Sequence, residues 1–543
     1  MTRTLRTQVA VVGAGPAGAT LANFLGMYGL DAVLIERSSE IIDYPRAVGM
    51  DDESLRSFQA VGLADELIKD MIQNVPLRFF DARNRCFADV RPATREYGWS
   101  RRNIFVQPGC EVVLRRGLHR FPSVRVLLGH EVVRLEQDGD GVELDVQTPG
   151  GESLRVRADY VVGADGGRST VRELLGVELE GDTHPRKWVV VECDNDPLDA
   201  QYTGLHCDPA RPYVCVHLPH DLRRWEFMLF PGEDDDEMLK TDKVHELLGH
   251  HVEDPARLNI IRARVYTHHS RIARCFTVGR VCLVGDAAHL MPPWAGQGMN
   301  TGIRDVTNLA WKIAAAVRGH ADPDILATYD TERRPHAQAM IDLSTTLGRI
   351  LSPTNRLVAT ARDVFFHAVV RAPAVRDWVL QMRFKPMPQY TDGVVVPDGH
   401  GRRSPVGRMF IQPLVENAEG DVLRLDDVLG PWFAVVGFGA DPAEHLSGAQ
   451  RDCLTALGAT FVKVVDSRAG RARRATVHRE TQVVEDLEGH LREWFTRHST
   501  RFVLTRPDRY VAATADRAGL GQVVDRLHRL LRPPGTGTEK EES

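Results

Sequence analysis

Three glycines and an acid set the first chemistry open to this chain. Gly13, Gly15 and Gly18 stand in Gly13-Ala14-Gly15-Pro16-Ala17-Gly18, and Glu36 follows 18 residues after the last of them. The first glycine makes a tight turn, the second lets backbone approach a pyrophosphate, and the third lets a helix pack closely on a strand. A helix opening at Pro16 and Ala17 offers unpaired N–H groups and a positive dipole end to phosphate. Glu36, with Arg37 beside it, stands where a carboxylate can accept hydrogen bonds from ribose hydroxyls. Two later segments each bring an aspartate and glycines to a strand end: Asp159–Ser169, carrying Asp165, and Gly279–His289, carrying Asp286. Such an aspartate can hold a polyol chain; it can also simply cap a helix or close a turn. The second segment continues through Pro293 into Gly296-Gln297-Gly298-Met299-Asn300. A glycine-rich helix start there can present N–H groups to a flat, polar ring system.

The elements that must position these residues are legible around them. Gln8–Val12 predicts a buried strand, Ala19–Tyr28 a small-residue helix closed by Gly29, and Ala32–Ile35 a second strand, together a β-α-β unit. Gln107 opens a helix, and Arg46 lies in a loop before another. From Trp188 to Tyr266 short alternating strands predict an antiparallel sheet. From Gly279 the buried-strand style returns. The expected fold class is therefore α/β. A Rossmann-like dinucleotide-binding domain (1–185 and 276–345) is interrupted by an antiparallel-sheet substrate domain (186–275). A helical linker region (346–393), a C-terminal domain (394–531) and a disordered tail (532–543) complete the expectation.

Composition fits this division. The 543 residues, 43% hydrophobic and 26% charged, suit a folded protein of several domains. A net charge of −6 gives no general attraction for a phosphate backbone, so no nucleic-acid partner is expected. No apolar run is long enough to predict a membrane span. Eight cysteines without a C-x-x-C pair fit a reducing cytoplasm. His206, Cys207, Cys215, His217 and His220 match no common zinc spacing, so no metal is expected.

One glycine fingerprint alone does not separate FAD from NAD. With Asp165-Gly166 and Gly285-Asp286 in this order and spacing, the chain resembles the flavin-dependent aromatic hydroxylases, the single-component monooxygenases with one FAD-binding domain. The resemblance covers roughly residues 7 to 345. It implies that Glu36 binds the adenosine ribose, Asp286 the ribityl chain, and Gly296–Asn300 the isoalloxazine edge, with Arg46 and Gln107 beside the flavin and Asp165 handling flavin and nicotinamide. It implies transient reduction by NADH or NADPH and use of O2 through a flavin C4a-hydroperoxide, hydroxylating a small-molecule phenolic substrate ortho to its hydroxyl. No second fingerprint exists for the nicotinamide, since Pro442 replaces the third glycine after Gly437 and Gly439.

Tyr44–Leu55, Ala295–Asn300 and Gly302–Asp305 resemble the branch of this family that acts on phenylpropanoid phenols in aromatic catabolism. The C-terminal part, with Arg506–Ala512, resembles the thioredoxin-like appendage of phenol hydroxylases; lacking C-x-x-C, it is expected to pack or to support a homodimer. By the same resemblance Tyr266 contacts the phenol oxygen, with His268 or His269 as relays. Val48 stands where phenol hydroxylases place an aspartate, so no general-base carboxylate is carried over. Arg186, Arg211, Arg223 and Arg224 are candidates for holding a substrate carboxylate. The competing readings are a polyketide-tailoring hydroxylase of the same layout and a flavin-binding protein without turnover.

Overall fold

The computed structural model describes residues 3–466 and 477–532. Arg3–Val12 lies at the centre of an eight-stranded sheet, flanked in parallel by Ala32–Glu36 on one side and Ser153–Gly163 on the other. Val124–Leu128 and Val281–Leu283 extend the parallel core. Strands buried on both faces read as unbroken apolar runs, as Val9–Val12 and Val161–Gly163 do. The helix Pro16–Met27 packs against one face beside the long helix Gly298–Val317. Small residues make that close packing possible: a Cβ on Gly18 would lie 1.8 Å from the Gly13 carbonyl oxygen.

The second sheet also has eight strands. Ile260–Ala273, Leu179–Cys193, Arg223–Met228, Tyr213–His217 and Thr203–His206 run side by side and antiparallel. Three more strands complete it: the short His289–Leu290 pairs antiparallel with Ile260–Ala273, Leu77–Phe80 pairs in parallel with Thr203–His206, and Cys86–Val90 follows. The expected span 186–275 therefore supplies most of this sheet but not all of it. The helices Arg356–Val369 and Pro373–Leu380 occupy the expected linker region.

The C-terminal sheet has seven strands. Thr460–Asp466 and Ala434–Phe438 are parallel, and Phe502–Thr505 with Val511–Ala515 continues antiparallel, a thioredoxin-like arrangement. Buried charge ties it to the first domain. Arg506 donates to both oxygens of Glu332 at 2.7 and 2.8 Å, and Lys312 to the same carboxylate at 2.8 Å. Arg56 grips Asp426 with two bonds of 2.7 Å. Arg532 is the last residue described, so the expected tail otherwise lies outside the described residues.

Candidate active site

A cleft of about 490 Å³ runs between the first two sheets. Its first wall is the glycine turn. Gly13 has φ +102°, and a Cβ there would meet the Ala164 oxygen at 2.4 Å; a Cβ on Gly15 would point into open space. Gly15 is the N-cap of its helix and has no side chain to cap the first N–H groups. Gly13, Gly15, Pro16, Ala17, Glu36 and Arg37 all line the cleft; Gly18 does not, being packed beneath the turn. Glu36 is already oriented, accepting from the backbone N–H of Ala14 at 2.7 Å and of Ser38 at 2.8 Å.

The second wall comes from the late aspartate segment. Asp286 lines the cleft just past the end of its strand and is exposed there. Desolvation by the walls pushes its carboxyl up, and His289 and Arg46 oppose this. Burial pulls Arg46 down, but Tyr44, then Asp286 and Tyr266, carry it above its ordinary value. Gln107 fixes the Arg46 loop, accepting from the N–H groups of Arg46 at 3.1 Å and Ala47 at 2.8 Å. Asp165 lines the cleft but is also engaged locally. It accepts from Ser169 Oγ at 2.5 Å and Val171 N at 3.1 Å, so it holds the start of the helix Thr170–Leu174. Burial nonetheless raises it.

The glycine-rich loop follows. Gly296 takes φ +60°, and the helix from Gly298 starts without a side-chain cap. Pro293, Gly296, Gln297, Gly298 and Met299 line the cleft. Asn300, expected at the isoalloxazine edge, is instead buried below the loop, where its Oδ1 accepts from Asp51 N at 3.1 Å and Ser54 Oγ at 2.8 Å, and its amide donates to Gly296 O at 2.9 Å. It positions the loop rather than facing the cleft.

Beneath lies a charged cluster the sequence reading missed. Arg304 donates to Glu53 at 2.9 Å and to Asp51, and the cleft-lining Lys385 donates to Asp51 at 2.9 Å and Glu53 at 2.8 Å. Asp51, Asp52 and Glu53 lie close enough to hold a cation, but the guanidinium and ammonium already fill that role. Asp52, whose Oδ2 has no hydrogen-bond partner, is pushed up to about 6 by burial.

Beyond the loop the cleft turns apolar, lined by Leu77, Phe79, Ile104, Val216, Trp188 and Trp294. His268 lines it too, stacked on Trp188 with ring centroids 5.8 Å apart. Burial lowers its imidazole to about 3, so it is neutral at physiological pH and cannot pass on a proton as imidazolium. His269 instead bonds Thr183 Oγ1 at 3.0 Å at the surface. Tyr266 shares the strand face of His268. It is not in the lining itself but stands behind it, beside Arg224, Tyr44, Arg46 and Glu226. Burial pushes its phenol up, with Arg224 and Arg46 opposing; it is a hydrogen-bond donor at neutral pH.

The glycine turn with open helix N-terminus, the ribose-side acid, the strand-end aspartate and the second open helix start fit an extended dinucleotide carrying a flat ring, which is FAD's shape. Comparison with known proteins agrees. The FAD binding domain family matches residues 6–344, and the HcaD C-terminal domain family matches 407–530. The chain belongs to the FAD-binding-domain family of flavoprotein hydroxylases. It is 55% identical over 521 residues to 3-(3-hydroxy-phenyl)propionate/3-hydroxycinnamic acid hydroxylase 2 of Burkholderia vietnamiensis (strain G4 / LMG 22486), covering 95% of each chain. It is 46% identical over 542 residues to the hydroxylase of that substrate name from Klebsiella pneumoniae (strain 342), covering 98% of this chain and 97% of the other. In fold it resembles the flavin-dependent monooxygenase PieE, solved with FAD and substrate: TM-score 0.79, 24% identity, 98% of this chain and 100% of that one.

Proposed function

We propose that this protein is an FAD-dependent aromatic hydroxylase acting on 3-(3-hydroxyphenyl)propionate or 3-hydroxycinnamate. The observation that carries the reading is one continuous cleft, with a dinucleotide-type wall at one end and an apolar, aryl-lined end at the other. Bound FAD, reduced by NADH or NADPH, supplies the activation of O2. One oxygen atom enters the ring ortho to the phenol oxygen; the other leaves as water, taking the two electrons of the nicotinamide and two protons.

The chain's residues position and protect this chemistry. Trp188 and Trp294 meet edge to face, centroids 4.8 Å apart, and help exclude water from the aryl end. Tyr266, expected on the phenol oxygen, stands behind the lining and backs Glu226 and Arg46 instead. Glu226 lines the cleft among the electrostatic neighbours of Tyr266. Burial raises its carboxyl, with Arg224 opposing, which moves it toward the range a general base needs for a phenol proton. The cytoplasm is the compartment this reading implies, supported by eight free thiols. A homodimer is the assembly it implies: Leu357, Val364, Phe365 and Trp378 are exposed on the helical region, and a dimer would cover them. Light scattering at the mass of one chain would remove that part.

The test is NADH and NADPH oxidation by the purified yellow protein, with and without 3-(3-hydroxyphenyl)propionate, with product mass read. Stimulation of at least tenfold and a product heavier by one oxygen are expected. Glu226→Gln should lower kcat by ~10²–10⁴-fold and remove the acidic limb of its pH profile. Absence of stimulation would move the substrate to larger polycyclic phenols. Flavin binding without turnover on any phenol would leave only a flavoprotein.

A further inference from the structure

The side chain of a phenylpropanoid acid ends in a carboxylate, and a carboxylate in an apolar cleft needs a cation. The four arginines singled out in the sequence are already occupied. Arg186 donates to Ser352 O at 2.9 Å, Arg211 pairs with Glu233 at 2.6 Å, Arg223 holds Asp196 at 2.9 Å, and Arg224 holds Glu192 at 2.9 Å. Lys385 reaches the cleft but is spent on Asp51 and Glu53.

Arg102 is different. It lines the cleft where Leu77, Ile104 and Val216 also line it. Its Nε donates to Val75 O at 3.2 Å. Among the described residues no acid pairs with it, and its two terminal nitrogens make no hydrogen bond. Arg102 is half-buried, and its terminal nitrogens stay open to the cleft, where a carboxylate can reach them. Burial alone lowers it to about 10, with no acid to oppose, so it keeps its charge at neutral pH.

A second unpaired group stands near the same stretch of chain. Thr203 is buried, lines the cleft, and its Oγ1 has no hydrogen-bond partner. Its backbone N–H bonds Pro76 O at 2.9 Å, so Thr203 and Arg102 both hang from the Val75–Pro76 segment. In the sheet Thr203 sits between Leu77 and Val216, two residues of the apolar lining.

We propose that Arg102, assisted by the Thr203 hydroxyl, receives the substrate's side-chain carboxylate and so makes the site selective for phenolic acids over neutral phenols. The terminal guanidinium nitrogens give two parallel donors matched to the two carboxylate oxygens, while Nε stays on Val75 O and fixes the plane. Thr203 donates a third hydrogen bond. The aryl ring is thereby directed away from Arg102, along the cleft toward the glycine-rich loop. This assignment rests on the phenolic-acid reading above.

The test measures binding as well as turnover. Calorimetric titration of the FAD-loaded protein compares 3-(3-hydroxyphenyl)propionate with its uncharged amide. Wild type should bind the acid at least tenfold more tightly. Arg102→Met should erase that preference, weakening the acid ~30-fold or more while leaving the amide within threefold. Arg102→Lys should restore part of it, and Thr203→Val should weaken the acid ~3- to 10-fold. Retained FAD and an unchanged melting curve show that each variant is folded. An undiminished preference in Arg102→Met would overturn the assignment, as would loss of FAD from Arg102→Met, which would place Arg102 on the cofactor. Hydroxylation with the preference intact in Arg102→Met sinks only this inference. Selective acid binding that Arg102→Met abolishes, without any hydroxylated product, upholds it and sinks the reaction reading instead.

Discussion

Asp52 shows how a single buried carboxyl sets a pH dependence. Asp51 and Glu53 are both lowered: burial raises them, but Arg304 and Lys385 outweigh it. Asp52 is raised from 3.8 to about 6 by burial and by Asp51 and Glu53, with Lys385 and the Arg101 guanidinium 3.6 Å away opposing. A raised carboxyl contributes stability that is complete below its unfolded pKa and lost as pH rises through its folded value. Asp52→Asn should therefore flatten the stability curve between pH 4 and 6. Above pH 6 it should stabilise the fold, by at most ~3 kcal/mol. Urea midpoints across pH 4–8 read this, and a variant less stable than wild type at pH 7 would contradict it. At this scale the sequence was legible where a residue's task is local. Gly13 and Gly15 form the turn after Arg3–Val12, and Glu36 ends the strand Ala32–Glu36. Pairing between distant residues was not. Nothing near Arg224 announces Glu192 as its partner, and Arg101-Arg102 reads as ordinary surface charge until the fold sets Arg102 half-buried in the cleft wall without an acid.

The first β-α-β unit carries two glycines whose duties can be separated. A methyl on Gly18 would collide with the Gly13 carbonyl; one on Gly15 would enter only the cleft. Gly18→Ala should destabilise the apoprotein by ~1–3 kcal/mol or more and lose FAD as a consequence. Gly15→Ala should leave the apoprotein's melting curve unchanged yet weaken FAD retention at least tenfold, read by flavin fluorescence after desalting. Equal behaviour of the two would remove the pyrophosphate role of Gly15. Elements with strong periodicity, such as this unit and the helix from Gly298, were legible. Leu77–Phe80 and Cys86–Val90 were not, because they are short, and Leu77–Phe80 gains its place by pairing with Thr203–His206, over a hundred residues later, carrying Cys86–Val90 with it.

Across the whole molecule, buried charge and apolar packing hold the C-terminal domain to the flavin domain. Trp432 and Phe433 belong to the same core cluster as Trp311 and Tyr28. Arg506→Met would leave Glu332 and Asp508 in a dry interior with one fewer cation, a loss of ~3–5 kcal/mol. Arg517→Met, at an exposed position, should stay within ~0.5 kcal/mol. Denaturant midpoints compare them, and equal values would mean the interface is held by packing alone. The interrupted domain order was legible because the hydrophobic pattern changes style twice. That the cleft lies between the two sheets was not, since it depends on how their faces meet.

On the proposed function, this cleft transfers one atom of O2 to a phenolic acid. The most direct measurement is turnover of 3-(3-hydroxyphenyl)propionate with NADH or NADPH under ¹⁸O2, with the product analysed by mass. One ¹⁸O is expected in each hydroxylated product, ortho to the original phenol oxygen. A product carrying oxygen from water, or nicotinamide oxidation that yields no hydroxylated acid, would contradict it.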